Sequence, residues 1–155
     1  MAQGVWIIAE HRDGEFRKIT YEILSEGRRL ADALGTDLTA VVLGSGLKDK
    51  VAELGHYGAD KVLLAEDERL EPYTTDAYSA VITQWVKAHD PAILLLGASV
   101  QGKDLSARLT ACLDAGLAQD CTEFAIEDGN LIAVRPVYAG KAYTKLTFEN
   151  SWPQM

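Results

Sequence analysis

The sequence has no basic excess: 15 lysines and arginines stand against 23 aspartates and glutamates, a formal net charge of −8. A face that binds nucleic acid needs clustered Lys and Arg to neutralise phosphates, so direct binding of DNA or RNA is not expected. Cysteine is nearly absent. Cys112 and Cys121, nine residues apart, fit neither a CxxC redox pair nor half of a zinc site, and read as reduced thiols of a cytoplasmic protein. His11, His56 and His89 are scattered, with no i,i+4 pair and no cysteine at ligand spacing, so no metal is expected. No apolar run approaches the ~20 residues of a membrane span. The short run Val5-Trp6-Ile7-Ile8-Ala9 is followed at once by Glu10-His11-Arg12-Asp13, unlike a secretory leader. A G-x-S-x-G elbow is missing and Ser99 has no base near it in sequence, so no residue is assigned a catalytic role. Internal repeats and low-complexity linkers are missing too.

What remains is the composition of one compact domain: 155 residues, 48% hydrophobic and 25% charged. Four apolar runs without polar alternation read as strands buried on both faces: Val5 to Ala9, Leu38 to Leu43, Val62 to Ala65 and Ala92 to Leu96. Helical patterns separate them. From Thr20, taken as an N-cap, Ile23, Leu24, Gly27, Leu30, Ala31 and Leu34 share a face that Gly35 ends. A shorter helix carries Leu47, Val51 and Leu54. A third, from about Thr75, aligns Tyr78, Val81, Ile82, Trp85 and Val86, and a fourth, from about Lys103, aligns Leu105, Leu109, Cys112 and Leu113. Strand–helix–strand repeats demand a parallel sheet covered by helices on both faces. The last third differs. Cys121 to Ile126 and Leu131 to Tyr138 flank the turn Glu127-Asp128-Gly129-Asn130, and Ala142 to Glu149 supplies a further strand, so an antiparallel extension follows the parallel core.

The richest stretch for function is Gly97-Ala98-Ser99-Val100-Gln101-Gly102-Lys103-Asp104, between the fourth strand and the fourth helix. Open α/β sheets bind ligands outside the carboxyl ends of their strands, and a helix N-terminus favours an anion. The glycine and lysine spacing imitates a phosphate loop. Asp104, however, stands where a Ser or Thr hydroxyl would ligate magnesium, which argues against a P-loop nucleotidase. Asp104 equally suits a structural place near a helix N-terminus. Glu10, His11 and Asp13 fall at the same edge of the sheet and read as a solvated loop, and Glu66-Asp67-Glu68 reads as a solvated charge run.

Several of these segments, taken in order, carry a resemblance. Gly58-Ala59-Asp60-Lys61-Val62 precedes the Gly97 to Leu105 loop, which runs on through Arg108-Leu109 to Leu113-Asp114-Ala115-Gly116-Leu117. Asp120-Cys121-Thr122 and Arg135-Pro136-Val137-Tyr138-Ala139-Gly140-Lys141-Ala142 follow. The series resembles the N-terminal domain of the electron transfer flavoprotein alpha subunit, over nearly the whole chain. The resemblance implies a three-layer α/β/α fold, similar to adenine-nucleotide hydrolases and universal stress proteins, with parallel strands in the order 3-2-1-4-5. It also implies a heterodimer with a beta subunit, carrying electrons on FAD between dehydrogenases and an acceptor. Residues 1–150 would form this domain, with 151–155 a tail or the start of a linker. The FAD-binding C-terminal domain would lie outside the chain, so no cofactor is expected on the chain alone. Gly97, Ser99, Gly102, Lys103 and Asp104 would be what remains of a nucleotide loop. Arg135, Tyr138 and Gly140 would contribute to the subunit interface, although Lys141 stands where many members carry Asn. The alternative is a stand-alone adenine-nucleotide module of the universal stress protein type, which the lack of a later Gly-Ser or Gly-Thr pair disfavours.

Overall fold

The computed structural model describes residues 3–155. The four uniformly apolar runs become β1 (Val5–Ile8), β4 (Leu38–Gly44), β5 (Lys61–Glu66) and β6 (Ile93–Leu95), paired in parallel in the order β5-β4-β1-β6. Counted along the chain, that order is 3-2-1-4. Within residues 151–155, expected as a tail or the start of a linker, Gln154 lies on the free side of β6. There Gln154 bridges Ile93 in parallel, its N–H donates to Ala92 O (2.9 Å), and its carbonyl accepts from Leu94 N–H (3.0 Å). Gln154 thus stands in the fifth position of the expected order.

Alternation along β1 divides the core into two layers. Val5, Ile7 and Ala9 face Leu24, Leu30 and Ala31 of α1 (Lys18–Leu34) and Leu54 of α2 (Glu53–His56). Trp6 and Ile8 face Tyr78, Ile82 and Val86 of α3 (Thr75–His89) and Leu105 and Leu109 of α4 (Val100–Leu113). β1, β4 and β6 are buried on both sides because helices cover both, which is why they lack polar alternation, whereas β5 at the sheet edge is only half-buried. Gly27 lets α1 approach: a Cβ there would fall 2.8 Å from Leu38 Cδ1 and 2.9 Å from Ile7 Cγ2.

The antiparallel extension is a separate sheet of β7 (Glu123–Glu127), β8 (Asn130–Val137) and β9 (Ala142–Leu146), in that order. Leu131, Ile132 and Ala133 bury its root. Beyond them β9 is exposed except at Leu146, so the expected one-sided face (Ala142, Thr144, Leu146, Phe148) is half-buried only at Leu146 and Phe148.

Three expectations about helix starts need correction. α2 begins only at Glu53, so Leu47 and Val51, expected on it, precede the helix. α1 begins at Lys18 with Arg17 as its N-cap, and Thr20 is fully buried inside the first turn. The Thr20 hydroxyl does not cap α1. It accepts from Glu10 N–H (2.8 Å) and donates to Glu10 O (2.7 Å). α4 begins at Val100, because the Ser99 hydroxyl accepts from Gly102 N–H (2.9 Å) and so caps the helix three residues earlier than expected. A hairpin also turns at Asp13-Gly14, between β2 (His11–Arg12) and β3 (Glu15–Phe16).

Candidate functional site

The carboxyl ends of β1, β4 and β6 meet at one edge of the parallel sheet, and the Gly97–Asp104 loop lies there. The hairpin at Asp13-Gly14 brings Arg17 back to Glu10: Arg17 N–H donates to Glu10 O (2.9 Å), and Arg17 Nη1 donates to Glu10 Oε2 (2.7 Å). Glu10 Oε1 accepts from the Ser99 hydroxyl (2.6 Å). Glu10 is therefore only 3% exposed, and the solvated-loop reading fails for it. Asp13 does lie in solvent, at the hairpin tip.

Gly97 and Gly102 are glycines for steric reasons. A Cβ on Gly102 would fall 1.9 Å from Gly97 O, and one on Gly97 would fall 2.4 Å from Ile19 Cγ1. Both would also approach Glu10 Oε1 to 3.2 Å. The glycines thus close the loop around a carboxylate that already belongs to the chain.

Lys103 and Asp104, the loop's two charged residues, diverge. Lys103 Nζ pairs with Asp120 Oδ1 at 2.7 Å. Asp104 accepts from the Tyr73 hydroxyl (2.7 Å) and from Thr75 Oγ1, which ties α4 to the start of α3. Those hydrogen bonds hold the Asp104 carboxyl below the usual carboxylate range. Tyr73 is pushed up to about 12 by burial first, with Thr75 acting against the rise and the Asp104 hydrogen bond adding to it. Asp104 is thus a structural tie between helices, the second of the two roles its sequence position suggested.

The neighbouring strand end is filled in the same manner. His11 Nε2 donates to Leu43 O (2.8 Å), and the Tyr78 hydroxyl donates to the same carbonyl (2.8 Å). A Cβ on Gly44 would meet the His11 ring at 2.5 Å. Beyond it, Glu66 accepts from Leu47 N–H (3.2 Å) and Asp67 caps a 3-10 turn through Arg69 N–H (2.9 Å), so these two members of the acidic run hold backbone as well as facing water. A flavin or nucleotide phosphate does not fit the Gly97–Asp104 loop. Its glycine cradle holds Glu10, Ser99 is committed on both sides, and Lys103 and Asp104 point to protein partners.

The resembling segments outside the loop have structural explanations. Asp60 Oδ2 accepts from Leu38 N–H (2.8 Å) and from Arg28 Nη1 (2.6 Å), and Arg28 also reaches Gly58 O (3.3 Å) and Thr36 O (3.3 Å). Gly58 sits at φ +106° with the Arg28 side chain 3.3 Å from where its Cβ would be. This knot joins α1, the start of β4 and the start of β5.

The segment Arg135 to Ala142 forms the outer part of β8, the turn and the start of β9. Tyr138 is 82% exposed, so it is no core aromatic. Its φ is +52°, and Ala139 follows at +55° before Gly140 at +83°. Left-handed backbone at a tyrosine and an alanine costs about 1–2 kcal/mol each, offset here by the turn bonds Gly140 N–H to Val137 O (3.1 Å) and Lys141 N–H to Tyr138 O (3.2 Å). Tyr143, which pairs across from Pro136, is 67% exposed. Arg135 is half-buried, with its Nε buried and lacking a hydrogen-bond partner. The sequence reading did not single out Tyr143, nor Arg17 and Tyr73 at the sheet edge, and it gave Thr20 only a helix-capping role.

The chain is thus an α/β domain with a four-stranded parallel sheet, whose carboxyl edge is filled by its own side chains, and a separate antiparallel sheet. It belongs to the electron transfer flavoprotein family, whose electron transfer flavoprotein domain matches residues 5–155. It is 43% identical over 155 residues to Protein FixB of Clostridium saccharobutylicum, a match covering 99% of this chain and 46% of that protein. It is 41% identical over 155 residues to the electron transfer flavoprotein subunit alpha of Clostridium acetobutylicum, again covering 99% and 46%. The acryloyl-CoA reductase electron transfer subunit beta of Anaerotignum propionicum is 36% identical over 162 residues, covering 89% of this chain and 44% of that protein. The chain spans less than half the length of these relatives. Among the described residues, no helix is long and apolar enough to cross a membrane.

Proposed function

We propose that this chain is the N-terminal scaffold and subunit-interface domain of an electron transfer flavoprotein alpha subunit. In this reading it works within a cytoplasmic heterodimer that carries electrons on FAD between dehydrogenases and an acceptor. FAD is held by parts of the assembly outside this chain, since the Gly97–Asp104 loop offers it no free donor set. The chain positions the flavin-bearing parts and supplies no reacting group. Family membership and the relatives' names support the electron-transfer role. The filled loop disfavours a stand-alone adenine-nucleotide module.

The observation that carries the interface reading is the β8–β9 turn. It holds strained backbone at Tyr138 and Ala139 and presents two exposed tyrosines, one of the residue types enriched at binding hot spots. The partner is the electron transfer flavoprotein beta subunit. Arg135, half-buried on outer β8, contributes to the same interface, and Gly140 closes the turn through its N–H to Val137 O (3.1 Å).

The test is titration of the beta subunit with the parent chain and with Tyr138→Ala and Tyr143→Ala variants. Association should weaken by about 2 kcal/mol or more for at least one of them, the size of a hot-spot loss. The isolated variants should unfold like the parent. Unchanged binding by both variants contradicts the docking role of this turn.

A further inference from the structure

Glu10 is a buried acid that the docking role does not use. It sits at the end of β1, far in sequence from Ser99, yet three kinds of group converge on it. Arg17 Nη1 donates to Oε2 at 2.7 Å, and the Ser99 hydroxyl donates to Oε1 at 2.6 Å. Behind Ser99 lies the first turn of α4, the end of a helix that favours negative charge. Gly97 and Gly102 complete the enclosure: a Cβ on either would lie 3.2 Å from Oε1. A guanidinium, a hydroxyl, a helix N-terminus and two cleared backbone positions are what an anion site offers a phosphate.

We propose that Glu10 is an internal ligand of this loop: its carboxylate takes the place of a phosphate, keeps outside anions away, and leaves a phosphate-binding site when it is removed. A plain structural ion pair between Glu10 and Arg17 does not make the last claim. This inference is independent of the proposed docking role, because it concerns the loop around Glu10 and needs no partner.

The test uses the 155-residue chain with inorganic phosphate as the probe, in calorimetry and thermal unfolding, against chloride at equal ionic strength. The parent should show no saturable heat and no phosphate-specific rise in midpoint. Glu10→Ala should bind phosphate saturably and unfold about 3–5 °C higher at phosphate tenfold above its dissociation constant. Glu10→Gln drops the charge but keeps the plug, so it should respond at least about tenfold more weakly than Glu10→Ala. Should Glu10→Ala fail to fold in chloride, recovery of its fold in phosphate supports the proposal, and Glu10→Ser is read in the same way. A folded Glu10→Ala variant that responds no more than the parent overturns the proposal. So does the failure of both variants to fold even in phosphate, since phosphate then cannot replace the carboxylate. Saturable phosphate binding by the parent overturns it as well.

Discussion

The two larger sheets of this chain end in opposite ways. At the carboxyl edge of the parallel sheet, Glu10, Ser99, Lys103, Asp104 and Tyr78 turn inward and bond to one another's loops. At the far end of the antiparallel sheet, Tyr138 and Tyr143 stand in solvent above a turn with three successive residues at positive φ. The first edge lies where ligands are expected in such folds, and it is spent on internal contacts. The second carries exposed aromatic rings beside a left-handed turn that closes the β8–β9 hairpin, with Gly140 N–H donating to Val137 O (3.1 Å). On the proposed docking role, a fold's usual binding place does not by itself locate the working surface, because function depends on which polar and aromatic groups remain uncommitted.

The largest effect expected from breaking that contrast is on the parallel core. Leu94 is fully buried in β6 between β1 and the Gln154 bridge. Leu94→Ala should lower unfolding free energy by about 2–5 kcal/mol in denaturant titrations followed by circular dichroism. A smaller loss would mean that β6 is not central to stability. Asp60→Ala comes next. It removes the acceptor for Leu38 N–H and Arg28 together, and should cost about 1–3 kcal/mol in the same assay.

At the exposed turn the expected stability effect is much smaller. Tyr138→Gly replaces a strained left-handed tyrosine with the residue suited to that backbone, so stability should stay within about 1 kcal/mol of the parent. Association with the beta subunit should nevertheless fall. A mutation that spares the fold and weakens binding sharpens the contrast, and a large loss of stability removes it.

The smallest effect is on alkaline titration. Tyr73 and Tyr21 are both pushed up to about 12, by burial first, with hydrogen bonds to Asp104 and to Glu53 adding to it. The unfolded chain's tyrosines ionise near ~10. The folded value is the higher one, so this stabilisation is complete below pH ~10 and is lost as pH rises from there to about 12. Tyrosinate absorbance of the native chain should lag behind that of the chain in denaturant. Tyr73→Phe should reduce the alkaline loss of stability, and coincident curves would place these rings in water.

The parallel sheet was legible because strands covered on both faces lack polar alternation, as Val5 to Ile8 and, apart from the buried Thr39, Leu38 to Leu43 do. The face of α1 was legible for a similar reason, with Leu24, Gly27, Leu30 and Ala31 turned to the sheet. Its start was missed because Thr20 has the residue type of an N-cap, while its hydroxyl is taken by the Glu10 backbone. Glu10 itself was missed for want of a long-range partner visible in sequence. One local signal was available: Asp13-Gly14 is a hairpin turn pair, and a hairpin there returns Arg17 to Glu10. The tie from Asp104 to Tyr73 and Thr75 had no such signal, because it joins two helices across the sheet edge. Tyr138 was visible as a tyrosine beside a glycine, but its exposure depends on how far β8 runs past the buried Leu131 to Ala133.

The most direct measurement is backbone hydrogen exchange of this chain, alone and saturated with the electron transfer flavoprotein beta subunit. Slowed exchange should concentrate on residues 134–146, spanning outer β8, the turn and β9, while the 97–104 loop, already closed by Glu10 and Ser99, should exchange alike in both states. Protection at 97–104 with none at 134–146 would contradict the account, because the edge described as spent would then be the working surface.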